Sequence, residues 1–454
     1  MSQLLNEVGV MIVSFGNWLW GLPLFLLLIG GGLWFLVYSG FVPFRYFGRA
    51  IKSLRKKEDS APGQISSFEA LASAIASTVG MGNISGVAVA ITMGGPGTIF
   101  WMWVSAVVGM ATKFFEGTLT IMFKGKDSSG EVQGGPMYMI TEGLGKSWNP
   151  LAVFFSIFGL IGTLCLMQAN QLTEAITTVI TTPMGIESSM LLKFIIGLSM
   201  TIIVAVVVLG GIKRISRVAA KLVPTMVLMY FLLVGYILIT HISSVPEVFA
   251  SIFREAFQFK AGLGGLAGSA IIIGARRAAF VNEAGVGTAS MMHGASKNTE
   301  PVREGLVAMI GPAIDSGLVC TLTALAILIN GDYEVSKLQG IQMAMNSFEQ
   351  SIPGIGQYLL LGMAVIFAFS TMFSYSYYGV KCTNYLFGAK YAHFYNYFFL
   401  IMLVVGAVIS LDVVVGVIDS AYALMAIPTM FTLLVLSPKV KREMKIYFNN
   451  QKTK

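Results

Sequence analysis

Apolar residues in this chain neither alternate with polar ones nor keep to one helical face. They run on for about twenty residues at a time, the length a helix needs to cross the hydrocarbon core of a bilayer. Eleven stretches qualify: a leading one at about 16–40, then 68–93, 98–123, 150–180, 190–211, 218–241, 264–292, 303–330, 354–380, 393–411 and 413–436. Polar residues, glycine or proline separate each from the next. The pattern predicts an all-α polytopic membrane protein with 11 transmembrane helices.

Two of the stretches are interrupted. The first after the leading one reads IASTVGMGNISG (75–86), and the sixth after it reads IIIGARRAAFVNEAGVG (271–287). Irregular backbone at membrane depth persists only where protein or a cavity buries it. With the leading stretch set aside, ten remain as five plus five, each half opening on an interrupted span. An odd number per half turns the second half over in the bilayer. That is the arrangement of inverted-repeat transporters, whose binding site lies at the midplane between discontinuous helices. Glycines also serve close helix packing, which explains one break more readily than two at matching positions. The expected organisation is a leading helix and basic linker over 1–60, a first repeat over 61–245, an inverted second repeat over 246–437 and a basic tail over 438–454.

Composition identifies the solvent. Of 454 residues, 55% are hydrophobic and 11% charged, whereas soluble domains carry about 25% charged residues. Too little charge is present to cover a water-facing surface. The net charge of +8 is a matter of sidedness rather than of nucleic-acid binding. If the segment holding Arg45, Arg49, Lys52, Arg55, Lys56 and Lys57 is cytoplasmic, only four of the 30 Lys and Arg fall in outer segments (Lys193, Arg254, Lys260, Lys337). Three more, Lys113, Arg276 and Arg277, lie in spans. This bias predicts a cell-membrane protein with its N-terminus outside and its C-terminus inside. The start lacks the positive region of a cleaved signal peptide. Cys165, Cys320 and Cys382 stand at no metal or disulfide spacing, and His241, His293 and His393 are far apart.

The breaks carry the candidate chemistry. Gly80 and Gly82 are expected to free the amides of Gly80, Met81 and Gly82 at the start of the outer half-helix, where the positive dipole end suits a carboxylate. The inner half-helix ends near Ala76–Val79, and its free carbonyls suit a cation or an ammonium group. Thr78 and Asn83 add a side-chain oxygen each. The second break is expected at Ile273–Ala275, where the carbonyls of Ile273 and Gly274 take the substrate amine and Ile271–Ile273 fit a methyl side chain. Arg276 and Arg277 then fall on the cytoplasmic side as an inner gate, because paired cations in a span are costly. Glu116, Glu283 and Asp315 are their candidate partners.

Other polar groups are less decisive. Gln168 and Gln171 share a face of the third span while Asn170 points elsewhere, so at least one of these amides serves helix packing. Ser370 and Thr371 offer adjacent hydroxyls for a sodium shell, although serine also bonds back to its own helix. Glu116 stands one turn from Lys113, as in a neutralised pair. Asp315 and Asp419 are each open to a role as proton site, cation ligand or structural acceptor. Two outer loops, Val245–Phe259 and Asp332–Ser351, read as amphipathic. Ile341, Met345 and Phe348 share one face of the second, as in a surface-lying lid.

The run Gly94-Gly95-Pro96-Gly97-Thr98-Ile99-Phe100-Trp101-Met102-Trp103, continuing to Gly109-Met110, closely resembles the signature of the alanine or glycine:cation symporter family. Val79-Gly80-Met81-Gly82-Asn83-Ile84 and Asn282-Glu283-Ala284-Gly285-Val286-Gly287 resemble it too. The family pattern has a small residue where this chain has Thr98, and Arg-Gly where it has Arg277-Ala278. The resemblance covers about residues 15–440. It implies a leucine-transporter-type fold with one extra span in front, and sodium-coupled uptake of alanine or glycine. By that resemblance, the Met81 and Gly82 amides hold the substrate carboxylate. The carbonyls of Ala76 and Val79 join the hydroxyls of Ser370 and Thr371 around one sodium. A second sodium near Thr78 and Asn83 would lack a hydroxyl ligand from the sixth span, and the outer-gate arginine that follows the first break in the superfamily is replaced by Gly86. Glu116 is implied as a brace for the sixth-span break. No organic cofactor is implied, and the oligomeric state is left open.

The expected activity is therefore sodium-coupled import of small neutral amino acids by alternating access. Its nearest rival is proton coupling through Asp315, Asp419 or Glu283. A channel is disfavoured because no short motif resembles a selectivity filter. A membrane enzyme is disfavoured because no histidine stands near a nucleophile or metal ligands.

Overall fold

In the computed structural model, residues 11, 14–16, 18–54, 63–257, 270–331, 338 and 340–450 are described. A leading helix, α1 (Leu22–Tyr38), stops where Gly40 and Phe41 take φ of 70° and 61°. The chain leaves at 76° as a short helix, α2 (Val42–Ser53), with proline in its first turn. Helix α3 (Ser67–Thr78) opens on a capping box in which Ser66 accepts the Glu69 amide and Glu69 accepts the Ser66 amide, satisfying two otherwise orphaned donors. It ends at Val79 in extended backbone. Helix α4 (Gly82–Gly94) continues at 53° to it.

Next come α5 (Gly97–Met122) and a two-stranded hairpin, β1 (Gly125–Lys126) and β2 (Val132–Gln133), with Gly125 opposite Gln133. Three long helices follow: α6 (Lys146–Thr181), kinked at Cys165, α7 (Met190–Val208) and α8 (Gly211–Thr240). Helix α9 (Val245–Glu255) lies on the first of the loops read as amphipathic. Two short helices, α10 (Ala270–Asn282) and α11 (Thr288–His293), precede α12 (Pro301–Leu328) and α13 (Ile341–Ser351). The last three helices are α14 (Gly356–Phe387), α15 (Ala389–Val408) and α16 (Leu411–Asn450).

Among the described residues, eight helices are long and apolar enough to cross a membrane, or ten if each bent pair is one span. The stretch read as 264–292 begins outside the described residues, so its whole length is not part of that count.

Packing divides the helices into groups. Helix α5 packs on α10 and α12, while α7 packs on α15 and α6 on α14 and α16. Helix α3 runs between them, against α8 and α14. The outer surface is apolar: Ile202, Ile203 and Val206 on α7 and Phe231, Leu232 and Ile239 on α8 are all exposed. An apolar surface of that extent marks contact with lipid rather than water. The interior inverts the usual rule, with Lys113, Glu116, Glu283, Glu304, Asp315 and Asp419 all buried. In a membrane protein such groups face the protein interior and require partners.

Candidate functional site

The first break is held open by its own side chains. The Gly80 amide donates to Asn83 Oδ1 at 2.9 Å rather than continuing the helix. No amide then reaches the Ala76 carbonyl, and the Met81 and Gly82 amides have no partner among the described residues. Of the three amides expected to be free, Gly80's is therefore occupied. Asn83 also donates from Nδ2 to the Asp315 carbonyl at 3.2 Å, so it shapes the break and ties it to α12. Thr78 donates back to Ala74 at 3.1 Å.

Helix α14 presses its two hydroxyls onto this break. Ser370 Oγ lies 3.4 Å from the Val79 carbonyl oxygen, and Thr371 Oγ1 occupies the space a Cβ at Gly80 would need. Both hydroxyls donate to the Phe367 carbonyl, at 2.8 and 3.1 Å. An oxygen that donates there keeps lone pairs for a cation. Val79, Ser370 and Thr371 thus converge, with the Ala76 carbonyl one turn away.

The second break differs from the expectation. Helix α10 runs unbroken through Ile273 and Gly274, whose carbonyls lie in regular helix. Gly274 is a packing residue: a Cβ there would stand 2.5 Å from the Thr98 carbonyl oxygen. The interruption lies ten residues on, at Glu283–Gly287, where Glu283, Gly285 and Gly287 have φ of 54°, 85° and 98°. Left-handed backbone costs little only at glycine, so two glycines in a Gly-x-Gly pair open the helix where one does not. The same spacing, Gly80-Met-Gly82, marks the first break, and this was the available signal. Glu116 Oε1 accepts the Gly285 amide at 2.6 Å. Glu283 accepts hydroxyls from Thr288 and from Tyr422. The first break meets the last turns of α10, just before the second break: a Cβ at Gly82 would lie 3.1 Å from the Phe280 ring. Phe280 packs in turn on Tyr422, with ring centroids 5.7 Å apart.

This shift relocates the arginines. Arg276 and Arg277 precede the break, on the α4 side, where Gly94 meets Ile273. On the orientation expected from the basic segments they stand outside the site, not on its cytoplasmic side. Their partner is none of the three acids expected. Arg276 forks onto Asp419 of α16, with Nε at 2.9 Å, and Arg277 reaches the same oxygen at 4.0 Å. Trp20 donates to the Asp419 carbonyl at 2.8 Å and lies under the Arg276 guanidinium.

The third-span amides separate. Asn170 donates to the Ile409 carbonyl at 2.7 Å and so serves packing against the end of α15. Gln171 Oε1 accepts the Ile341 amide at 3.2 Å, holding the start of α13. Both amides are thus engaged in contacts between helices, while Gln168 is buried on the same helix. Helix α13 buries Ile341, Met345 and Phe348 and packs against the first turn of α4. Residues 332–337 and 339 of the stretch read as a lid lie outside the described residues. Lys113 is buried but forms no ion pair with Glu116 within 4 Å.

A buried network that no sequence signal announced lies at the foot of α3. Glu304 accepts from Ser67 at 2.7 Å and Asn298 at 3.0 Å and meets His293 Nδ1 at 2.6 Å. Gln64 and Ile65 both donate to the Ala295 carbonyl, and the Lys297 amide donates to Ile65. The foot of α3 is therefore joined to the end of α11. No spacing in the sequence signals this, since 237 residues separate Ser67 from Glu304. Beside it lies a cavity of about 330 Å³ lined by Gln64, Asp127, Glu131, Lys381 and Asn384. Burial would raise the Asp127 carboxyl, but hydrogen bonds from Ser129, Asn384 and Gln133 outweigh it and hold the group at about 2.

Comparison with known proteins gives this geometry a context. The chain is 37% identical to the sodium/alanine symporter AgcS of Methanococcus maripaludis, with 96% of each chain covered. It is 33% identical to the amino-acid carrier protein AlsT of Bacillus subtilis, over 94% of this chain and 90% of that one. Among solved structures it shares the fold of MhsT, crystallised with L-phenylalanine, at a TM-score of 0.61 and 15% identity, covering 83% of this chain and 90% of that one. These relatives are transporters, not enzymes. Residues 5–454 match the sodium:alanine symporter family, and the chain belongs to that family.

Proposed function

We propose that the protein imports alanine or glycine together with sodium. Membership in an amino-acid symporter family sets the class. The observation that carries the finer reading is the convergence of Val79, Ser370 and Thr371 at the first break, beside a free Ala76 carbonyl. In this reading sodium takes those four oxygens. The substrate carboxylate takes the Met81 and Gly82 amides, and its amine turns toward the second break at Glu283–Gly287. Phe280 closes over Gly82 and leaves room for a small side chain only.

The reading includes eleven spans as a leading helix plus an inverted five-and-five repeat, split near residue 245. It places the N-terminus outside and the C-terminus in the cytoplasm. Arg276–Asp419 then closes the outer side, and Glu304 with Ser67 and His293 the inner side. Rocking of one helix group against the other would open each in turn. Each sodium charge crossing a 100 mV inward-negative potential contributes about 2.3 kcal/mol to uphill uptake.

A proton-coupled reading rests on Asp315, whose Oδ2 is buried with no hydrogen-bond partner among the described residues. Uptake of labelled alanine into proteoliposomes separates the two. Uptake driven by an imposed sodium gradient supports the proposal. Uptake driven by protons alone overturns it in favour of Asp315, and no alanine uptake with either removes the substrate assignment.

A further inference from the structure

The short helix α2 is unlike the spans around it. It leaves α1 at 76°, so if α1 crosses the bilayer, α2 lies along its surface. Three stripes run down it. Val42, Pro43, Ala50 and Ser53 are buried against the protein. Phe44 and Ile51 are exposed, at 65% and 45%. Arg45, Arg49 and Lys52 are also exposed, at i, i+4 and i+7, and so share one face beside the apolar one. An apolar stripe flanked by a basic one is the form of a helix lying at the boundary of acyl chains and headgroups.

The end of α16 extends the basic face. Phe448 stacks on Tyr46 with ring centroids 4.0 Å apart, and the Arg49 guanidinium lies 5.5 and 5.4 Å from these two rings. Arg442 and Lys445 are exposed on the same final turns. Among the described residues no carboxylate stands within ion-pair distance of Arg45, Arg49, Lys52, Arg442 or Lys445. Five cations are thus gathered by two helices that an aromatic stack holds in register.

We propose that α2 and the last turns of α16 form a binding site for anionic phospholipid, with headgroup phosphates on the basic stripe and acyl chains against Phe44 and Ile51. Charge complementarity selects an anionic headgroup, and the apolar stripe selects a lipid over a soluble phosphate. The site is coupled to the transport machinery. Arg303 donates to the Ser53 carbonyl at 3.2 Å, joining the end of α2 to the start of α12, next to Glu304. The proposal rests on the membrane placement given above and is independent of which solute or ion is carried.

The test is thermal unfolding of the full chain in detergent with added phosphatidylglycerol or phosphatidylcholine. Phosphatidylglycerol is expected to raise the midpoint by roughly 4 °C, and phosphatidylcholine not to. The triple variant Arg45→Gln, Arg49→Gln, Lys52→Gln should lose the shift. Removing three exposed cations elsewhere, by Lys213→Gln, Arg214→Gln, Arg217→Gln, should keep it. The single variants Arg45→Gln and Lys52→Gln change exposed side chains only and should each reduce the shift, which covers a triple variant that fails to fold. An equal shift with phosphatidylcholine or with free glycerol phosphate, a full shift in the triple and single variants, or equal loss in the control variant would each overturn the site.

Discussion

The Glu116 carboxylate accepts the Gly285 amide at 2.6 Å across 169 residues of sequence. Glu116 is buried in the last two turns of α5, and Gly285 sits in the left-handed turn that interrupts the α10–α11 pair. One bond thus fixes an amide that the break would otherwise leave unsatisfied. Leaving a buried donor without its acceptor costs about 1–3 kcal/mol. Glu116→Ala should lower stability by that amount, read as an unfolding midpoint. It should also reduce alanine uptake tenfold or more, because the break would no longer be held. Glu116→Gln keeps an acceptor and should recover part of both. Equal loss in Ala and Gln variants would place the requirement on the charge instead.

Arg276 and Asp419 form a second long-range pair, with the Arg276 side chain 15% exposed and Asp419 fully buried. Removing one partner of a buried pair costs about 3–5 kcal/mol, whereas removing both often costs much less. Arg276→Met and Asp419→Asn should each destabilise the protein strongly, and the double variant should be more stable than either single one. Each variant should also label faster from the outer side at a cysteine placed near Gly94. Additive losses in the double variant would show that the two side chains act separately.

Gly82 faces the Phe280 ring of α10. A Cβ at Gly82 would stand 3.1 Å from the Phe280 ring, closer than an ordinary van der Waals contact. Gly82→Ala should therefore reduce alanine uptake more than glycine uptake. Adding Phe280→Leu should restore alanine transport, since a smaller side chain withdraws from the new methyl. A restored double variant is the informative outcome. If Phe280→Leu worsens the defect, the ring packs the helix and does not bound the pocket.

Asp127 gives a pH dependence outside the spans. Its carboxylate holds the β1–β2 hairpin to the end of α14 by accepting from Asn384 at 2.9 Å and closes the hairpin on itself by accepting from Gln133 at 2.7 Å. Its folded pKa of about 2 lies below the ordinary 3.8. A depressed acid contributes stability that is present above its unfolded pKa and lost as pH falls through the folded one. Hairpin protection from hydrogen exchange should therefore hold at pH 5 and weaken between about pH 4 and 2. Asp127→Asn should show the weakened hairpin already at neutral pH.

Much of this was legible in the chain, for physical reasons. Lipid demands long apolar runs, so the helices show plainly, and a break at membrane depth is hard to disguise. The residues of the first break and the α14 hydroxyls converge because Gly80 has no side chain to keep Thr371 away. The second break was misplaced because IIIGA resembles an interruption while its glycine serves contact with Thr98. Gly285-Val-Gly287 provides the positive φ that a turn requires. The partners of Arg276, Asn170 and Glu304 were not legible. The Arg276–Asp419, Asn170–Ile409 and Ser67–Glu304 contacts each join helices far apart in sequence, and a single sequence records no such pairing.

The central claim is that a sodium ion binds between α3 and α14 and thereby controls substrate binding. The most direct measurement is alanine binding as a function of sodium concentration, in the purified protein and in Thr371→Val. That variant keeps the shape of the side chain and removes one of the oxygens. The account predicts alanine binding that requires sodium, and at least about a tenfold higher sodium requirement in Thr371→Val, equivalent to about 1.4 kcal/mol. Alanine binding that is independent of sodium, or an unchanged sodium requirement in Thr371→Val, would contradict it.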